Sequence, residues 1–253
     1  MMKKRFNVQA AIFFAVLMIT SSATIAAQEA KRARQRAKPN TLTAQQSKQG
    51  FKLLFDGKSL EHFKAVTKDV IPEGCWLVKK GQIICSPKDG RPEGAGGSIV
   101  TKKLYSNFDL RFQYKLDPDF KGNVNSGIKY FAYPGTELGL EFQLYDHDAE
   151  VSKLHALADL YDLLPAEERP AKPRGQWNRV KIVAKGNTVQ HWLNNKKVLK
   201  FERGSEVFRA AVAKSKFKDR DKFGEARQGH ILLQDHGGGI AFRSLKIRAT
   251  DPR

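Results

Sequence analysis

Phe108-Asp109-Leu110-Arg111-Phe112-Gln113-Tyr114-Lys115-Leu116 puts an apolar side chain at every second position for nine residues. Side chains of an extended strand alternate between two faces, so this run buries one face and wets the other, as an antiparallel strand over a core does. Similar signals recur on both sides, at 97–101, 126–131, 140–145, 178–184, 188–193, 197–201, 229–233 and 240–248, separated by Gly, Pro and Asn. Trp192-Leu193-Asn194-Asn195-Lys196-Lys197-Val198 reads as a hairpin whose asparagines tolerate positive φ. Helical signal is sparse: Val207 to Phe217 has a weak apolar period, and Leu154 to Leu164 fits either a helix or an irregular loop. Many evenly spaced strands and little helix predict an all-β sandwich or jelly roll.

The N-terminus stands apart from this pattern. Lys3, Lys4 and Arg5 precede an apolar run from Ala10 to Ile19 and small residues through Ala26-Ala27, the layout of a cleavable signal peptide over 1–27. It predicts a periplasmic or secreted protein with no membrane span in the mature chain, and no cysteine near the cleavage point offers a lipid attachment site. Residues 28–47 are basic and polar and read as a disordered leader, leaving 48–253 as one β-domain. Of the formal charge of +19, the first 47 residues carry eight Lys/Arg against Glu29, so +12 falls on the domain, thickening only at Lys214 to Lys222. No nucleic-acid module signature is present, and the basic surface is expected to face solvent or an anionic envelope or polysaccharide rather than nucleic acid.

The two cysteines flank Lys79-Lys80-Gly81, read as a three-residue hairpin loop that sets Cys75 opposite Cys85. In an oxidising compartment that register predicts a cross-strand disulfide between Cys75 and Cys85. A metal pair would lack further ligands at suitable spacing.

Two stretches place polar groups where a β-protein should bury apolar ones. They are Glu141-Phe142-Gln143-Leu144-Tyr145-Asp146-His147-Asp148, and Gln234-Asp235-His236-Gly237 after Ile231-Leu232-Leu233. Glu141 and Gln143 share one strand face, Phe142 and Leu144 the other. If the second stretch lies on a neighbouring strand, the sheet gathers a carboxylate, an amide, a second acid and a histidine, a set suited to acid–base or metal-assisted chemistry. The bland alternatives are an edge-strand carboxylate paired with a lysine and a histidine capping a tight turn.

The order of motifs along the chain resembles a known family. Leu53-Leu54-Phe55-Asp56-Gly57-Lys58-Ser59-Leu60, Trp76, Tyr105-Ser106-Asn107-Phe108-Asp109-Leu110, Asn125-Ser126-Gly127-Ile128, Glu141 to Asp146, Gly175-Gln176-Trp177-Asn178, Trp192-Leu193-Asn194 and Leu233-Gln234-Asp235-His236-Gly237 follow one another as in the 3-keto-disaccharide hydrolases. Departures include Phe63 where a tryptophan is usual and Ser244 where asparagine is usual. The resemblance covers about Gly50 to Arg248. It implies a concanavalin-like, laminin-G-like jelly roll of two curved antiparallel sheets, and action on glycosides oxidised to a ketone at carbon 3.

A 3-keto sugar has an acidic hydrogen on carbon 2, so a base can form an enolate, the anomeric substituent can leave by β-elimination, and water can add to the enone. That needs a base, a stabiliser of the enolate oxygen and an acid for the leaving oxygen. Glu141 and His236 are the candidates for base and acid in either assignment, with Asp235 or Asp146 orienting the histidine. Gln143 and Asn178 would hold sugar hydroxyls, Lys129 the ketone oxygen, and Trp177 or Tyr161 would offer a platform to the ring. A divalent cation held by some of Glu141, Asp146 and His236 is a further expectation. The competing function is a non-catalytic carbohydrate-binding laminin-G-like module, and a third is an envelope-interaction module using the basic face. Acid and histidine groups converging on one face would favour the enzyme; a bare aromatic platform would favour the lectin.

Overall fold

In the computed structural model, which describes residues 38–146, 149 and 151–250, the alternating run forms one strand, β6 (Phe108–Leu116). Its apolar positions are buried, and Asp109 is buried with them because Arg111 donates to both carboxylate oxygens at 2.8 and 2.7 Å. The other strands, in chain order, are β1 (Lys52–Leu53), β2 (Phe63–Ala65), β3 (Trp76–Lys79), β4 (Gln82–Cys85), β5 (Ile99–Thr101), β7 (Asn125–Ala132) and β8 (Leu140–Tyr145). After these come β9 (Asn178–Lys185), β10 (Thr188–Leu193), β11 (Lys196–Glu202), β12 (His230–Leu233) and β13 (Ile240–Ala249). Among the described residues helix is limited to α1 (Ala44–Lys48), α2 (Glu206–Ala213) and a short 3-10 turn at Lys88–Gly90, and none is long and apolar enough to cross a membrane.

The strands form two antiparallel sheets, the jelly-roll sandwich of concanavalin-like kind that the motif order implies. The larger runs β11-β10-β9-β6-β13-β4-β3, with β1 also on β13; the smaller runs β2-β5-β12-β7-β8. One hydrophobic cluster joins them, with Phe112, Tyr114, Ile182 and Phe242 from the larger sheet and Ile128, Tyr130, Phe142 and Leu144 from the smaller. A bulge lets β7 serve both faces. Phe131 takes φ +51 and the β7–β12 register shifts, so Tyr130 and Phe131 both enter the core while Ala132 turns outward onto Val100 and Leu232. The 154–164 segment is an irregular loop rather than a helix; it pairs with the free edge of β8 through the Phe142–Leu160 bridge and the bonds Gln143 N–H to Asp159 O and Tyr161 N–H to Glu141 O.

Two expectations are corrected here. The leader was expected to run to residue 47, but residues from 39 onward already belong to the domain. Asn40 donates to Gly81 O and accepts from the Ser244 N–H, and Thr43 closes a reciprocal capping box with Gln46 at the start of α1. The expected signal peptide and residues 28–37 lie outside the described residues. The β3–β4 loop has two residues, not three: Lys79 pairs with Gln82, and Lys80 (φ +51) and Gly81 (φ +68) make the turn. A lysine in the left-handed region is the unexpected part, since asparagine or glycine usually stands there. The shorter loop moves the register by one, so Trp76 and not Cys75 sits opposite Cys85. The expected disulfide is not what the structure holds: both cysteines are buried free thiols.

Phe242 is fully buried between Trp76 and Phe112, with ring centroids 6.4 and 6.2 Å away. Phe242→Ala should therefore cost roughly 3–5 kcal/mol of unfolding free energy, read as a lowered denaturant midpoint with little change in slope.

Candidate active site

The smaller sheet has a core face and a second face, and the period of two sorts residues between them. On β8, Phe142 and Leu144 enter the core, which leaves Glu141 and Gln143 on the other side. On β7 the same side carries Asn125, Gly127 and Lys129, with Lys129 opposite Glu141 and Gly127 opposite Gln143. β12 supplies its continuation: Gln234 N–H donates to Gly127 O at 3.0 Å, and His236 follows. Loops close the sides with Glu137, Tyr161, Lys216 and Phe217, giving a cavity of about 280 Å³.

Glu141 is the most perturbed group in this cavity. Its side chain is buried, and burial pushes the carboxyl from its usual 4.5 up to about 7 against the opposing pull of Lys129 and Lys216. Lys129 Nζ is 3.7 Å from Glu141 Oε2 and donates to the Glu137 carbonyl at 3.0 Å, so the lysine stands beside the carboxylate without a close hydrogen bond to it. Glu141 lies across Gly127. A β-carbon there would sit 2.1 Å from Oε1, so no larger residue fits while Glu141 keeps this position. Gln143 donates to Asn125 Oδ1 and His155 O, both at 3.3 Å, while its own Oε1 is buried without a partner. Gln234 Oε1 is likewise buried and unpartnered. Two acceptors left open on the walls of one cavity suit a ligand rich in hydroxyl groups.

The structure brings together Glu141, His236, Lys129, Gln143 and Tyr161 of the residues expected from sequence, and places four elsewhere. Asp146 accepts from Arg174 at 2.7 and 2.6 Å and from the Val124 N–H at 2.6 Å, so it fastens two loops rather than orienting His236. Asp235 turns away from its neighbour His236. Arg91 donates to its two oxygens at 2.6 and 2.8 Å, and the thiols of Cys75 and Cys85 lie 3.2 and 3.3 Å from them. Burial alone would raise this carboxyl, but Arg91 and the N–H groups of Gly97 and Gly237 outweigh it and hold Asp235 well below the usual carboxylate range.

Trp177 packs beneath the Arg243 guanidinium at 3.9 Å and lines no part of the cavity. Asn178 is buried and accepts from Lys172 N–H and Asn194 Nδ2 at 2.8 and 2.7 Å, tying loops of the larger sheet. The expected cation ligands Glu141, Asp146 and His236 are not assembled as a set. Among the described residues, the acid, cysteine and histidine groups that converge closely enough are Cys75, Cys85 and Asp235, and there the Arg91 guanidinium already supplies the positive charge. His147 and Asp148 lie outside the described residues.

Tyr161 is held edge-on to the cavity by two neighbours: His155 stacks on it at 4.5 Å and Lys216 Nζ lies 4.2 Å from its ring centroid. His191 is a core residue. Burial lowers it to about 4, and it is hydrogen-bonded to Tyr130 Oη and Ala158 O. The cavity also takes in Asn125, Glu137, Lys216, Phe217 and Gln234, to which sequence assigns no role. Lys216 had a signal, the basic run at Lys214 to Lys222, but nothing local separates the lysine that points inward from its neighbours.

The family model for the 3-keto-alpha-glucoside-1,2-lyase-like domain matches residues 50–248. A 3-keto-disaccharide hydrolase of Bacteroides thetaiotaomicron is 30% identical over 235 residues, covering 80% of this chain and 79% of that protein. Among solved structures, a protein of Parabacteroides distasonis named as a candidate glycosyl hydrolase is 28% identical, with TM-score 0.74 over 85% of this chain and all of that one. A second protein of that organism, named in the same way, is 25% identical with TM-score 0.61, covering 79% of this chain and 99% of its own. With a match that takes in both sheets and every strand lining the cavity, the chain belongs to the 3-keto-alpha-glucoside-1,2-lyase-like family.

Proposed function

We propose that this chain is a glycoside-processing enzyme that cleaves 3-keto-glycosides, using Glu141 as the base that removes the carbon-2 proton. The carrying observation is that Glu141 is buried beside Lys129 with its carboxyl raised to about 7. A carboxylate of ordinary acidity is a weak base, and one poised near neutrality is far better suited to take a proton from carbon. The family match and the name of the Bacteroides relative supply the substrate class.

The step balances with residues that line the cavity. Glu141 takes the hydrogen of carbon 2, and the electron pair moves onto the ketone oxygen, where Lys129 stabilises the enolate. The enolate re-forms the ketone as the bond from carbon 1 to the leaving oxygen breaks, giving an enone. His236, exposed at the cavity mouth, donates a proton to that oxygen and releases the alcohol or sugar. Water then adds its hydroxyl at carbon 1 and gives its other proton to His236, and Glu141 returns its proton to carbon 2. Gln143 and Gln234 accept from sugar hydroxyls through their open oxygens. Convergence of an acid, a lysine and a histidine, with Trp177 turned away on another surface, favours this reading over a lectin-like module.

Release of alcohol from a 3-keto-glucoside should greatly exceed release from the unoxidised parent, and the rising limb of kcat/KM against pH should have its midpoint near 7, reflecting ionisation of Glu141. Glu141→Gln should lower kcat by roughly 10²–10⁴, and normal turnover in this variant would remove Glu141 from the mechanism. The same carboxyl affects stability: between its unfolded value near 4.5 and about 7 the folded state holds a proton that the unfolded state has lost, so stability falls as pH rises through that window. The fall is on the order of 3 kcal/mol, and chemical unfolding of Glu141→Gln at pH 4 and pH 8 should show that part of the slope gone. Gly127→Ala tests the placement: it should lower kcat by tenfold or more through displacement of Glu141, with circular dichroism unchanged, and full activity would show that the carboxylate position is not critical.

A further inference from the structure

A second concavity, of about 850 Å³, opens beside the cavity. The hairpin loop between β7 and β8 divides the two: Gly135 and Thr136 line the larger groove, Leu138 and Gly139 line the smaller cavity, and Glu137 lines both. Glu137 is fixed as a partition, since its carboxylate accepts from the Ser98 N–H at 3.3 Å and its carbonyl accepts from Lys129 at 3.0 Å. The small cavity lies at the lower end of the sizes known for small-molecule sites and the groove near the upper end, so a two-part ligand would set a compact ring in one and its larger appendage in the other.

The groove's chemistry differs from that of the cavity. Its walls carry Val66, Val70, Ile71, Pro72, Pro92 and Ala95, and Val66 rests on the outward-facing Val100, Ala132 and Leu232 patch that the β7 bulge creates. Val70 is 63% exposed, unusual for a branched apolar side chain, and it lies within the groove. The charged residues lining it are Lys68 against Glu73, Glu93 and Glu137, an acidic balance in a chain that is otherwise strongly basic. A groove with an apolar wall and a net acidic lining accepts a neutral group that carries apolar surface and disfavours an anionic one.

We propose that this groove is the leaving-group subsite, and that it favours a bulky, uncharged aglycone with an apolar surface over a small or an acidic one. The assignment rests on the 3-keto-glycoside reading of the neighbouring cavity. The test compares 3-keto-glucosides of methanol, cyclohexylmethanol and a carboxylate-ended alcohol, whose leaving oxygens are of similar basicity. The cyclohexylmethyl substrate should exceed the other two in kcat/KM by roughly tenfold or more. Val70→Asp, at an exposed position, should erase that advantage while leaving the methyl substrate unchanged. Equal kcat/KM across the three in the unmodified chain, or an equal loss on all three in Val70→Asp, would overturn the subsite. Should none of the three be cleaved, the hydrolase reading fails, and the groove is judged separately by calorimetry with unoxidised cyclohexylmethyl glucoside. Binding that Val70→Asp weakens about tenfold would uphold the groove, and binding that is absent or unaffected by the substitution would overturn it.

Discussion

A buried carboxylate without an arginine partner is the constraint on which the site depends. Five carboxylates have buried side chains among the described residues: Asp109, Glu141, Asp146, Asp159 and Asp235. Four of them accept hydrogen bonds from guanidinium groups, Asp109 from Arg111, Asp146 from Arg174, Asp159 from Arg169 and Asp235 from Arg91. Glu141 has instead a lysine 3.7 Å away whose hydrogen bond goes to a backbone carbonyl. A planar guanidinium pairs both carboxylate oxygens and fixes the ionised form, whereas a more distant ammonium compensates only part of the burial cost. Acids on one scaffold are thereby divided by their surroundings, some held by arginines that tie loops, one with its carboxyl raised to about 7 and able to exchange a proton.

The sandwich makes that arrangement affordable. Because Phe142 and Leu144 belong to the core, β8 cannot slip by one residue without exposing them and burying Glu141 and Gln143 in their place. The register that fills the core therefore also aims the polar pair at the cavity. Gly127 completes the fit on the adjacent strand by leaving space over which the Glu141 side chain lies. The free edge of β8 is covered by the 158–161 segment through backbone bonds, which protects an otherwise open strand and carries Tyr161 to the cavity rim.

What sequence could show follows from how far each interaction reaches along the chain. The alternation in β6 and β8 is local, so both strands and the shared face of Glu141 and Gln143 could be read directly. The hairpin at Asn194-Asn195 was legible for the same reason, as both asparagines adopt positive φ. Asp146 and Asp235 looked catalytic because the arginines that claim them lie 28 and 144 positions away. Trp177 and Asn178 were drawn from a strong motif whose partners, Arg243 and Asn194, become neighbours only when the larger sheet forms. The cysteine register failed on a single residue, Lys80, whose left-handed backbone shortens the turn by one.

In the proposed mechanism, burial is what assigns the separate roles of Glu141 and His236 that sequence leaves open. Proton abstraction from carbon needs a base whose proton affinity is raised above that of a solvated carboxylate, and desolvation does this for Glu141 at the cavity floor. Protonation of a leaving oxygen needs a group that can reach the departing half of the substrate and recover its proton from water between turnovers. His236 is exposed and at the rim, so it meets the second requirement and not the first. Exchanging the roles would ask a buried carboxylate to resupply protons across a filled cavity and a solvated imidazole to reach the ring beneath it. The depth of each residue, set by the strand register for Glu141 and by the turn after β12 for His236, therefore orders the proposed reaction from floor to mouth.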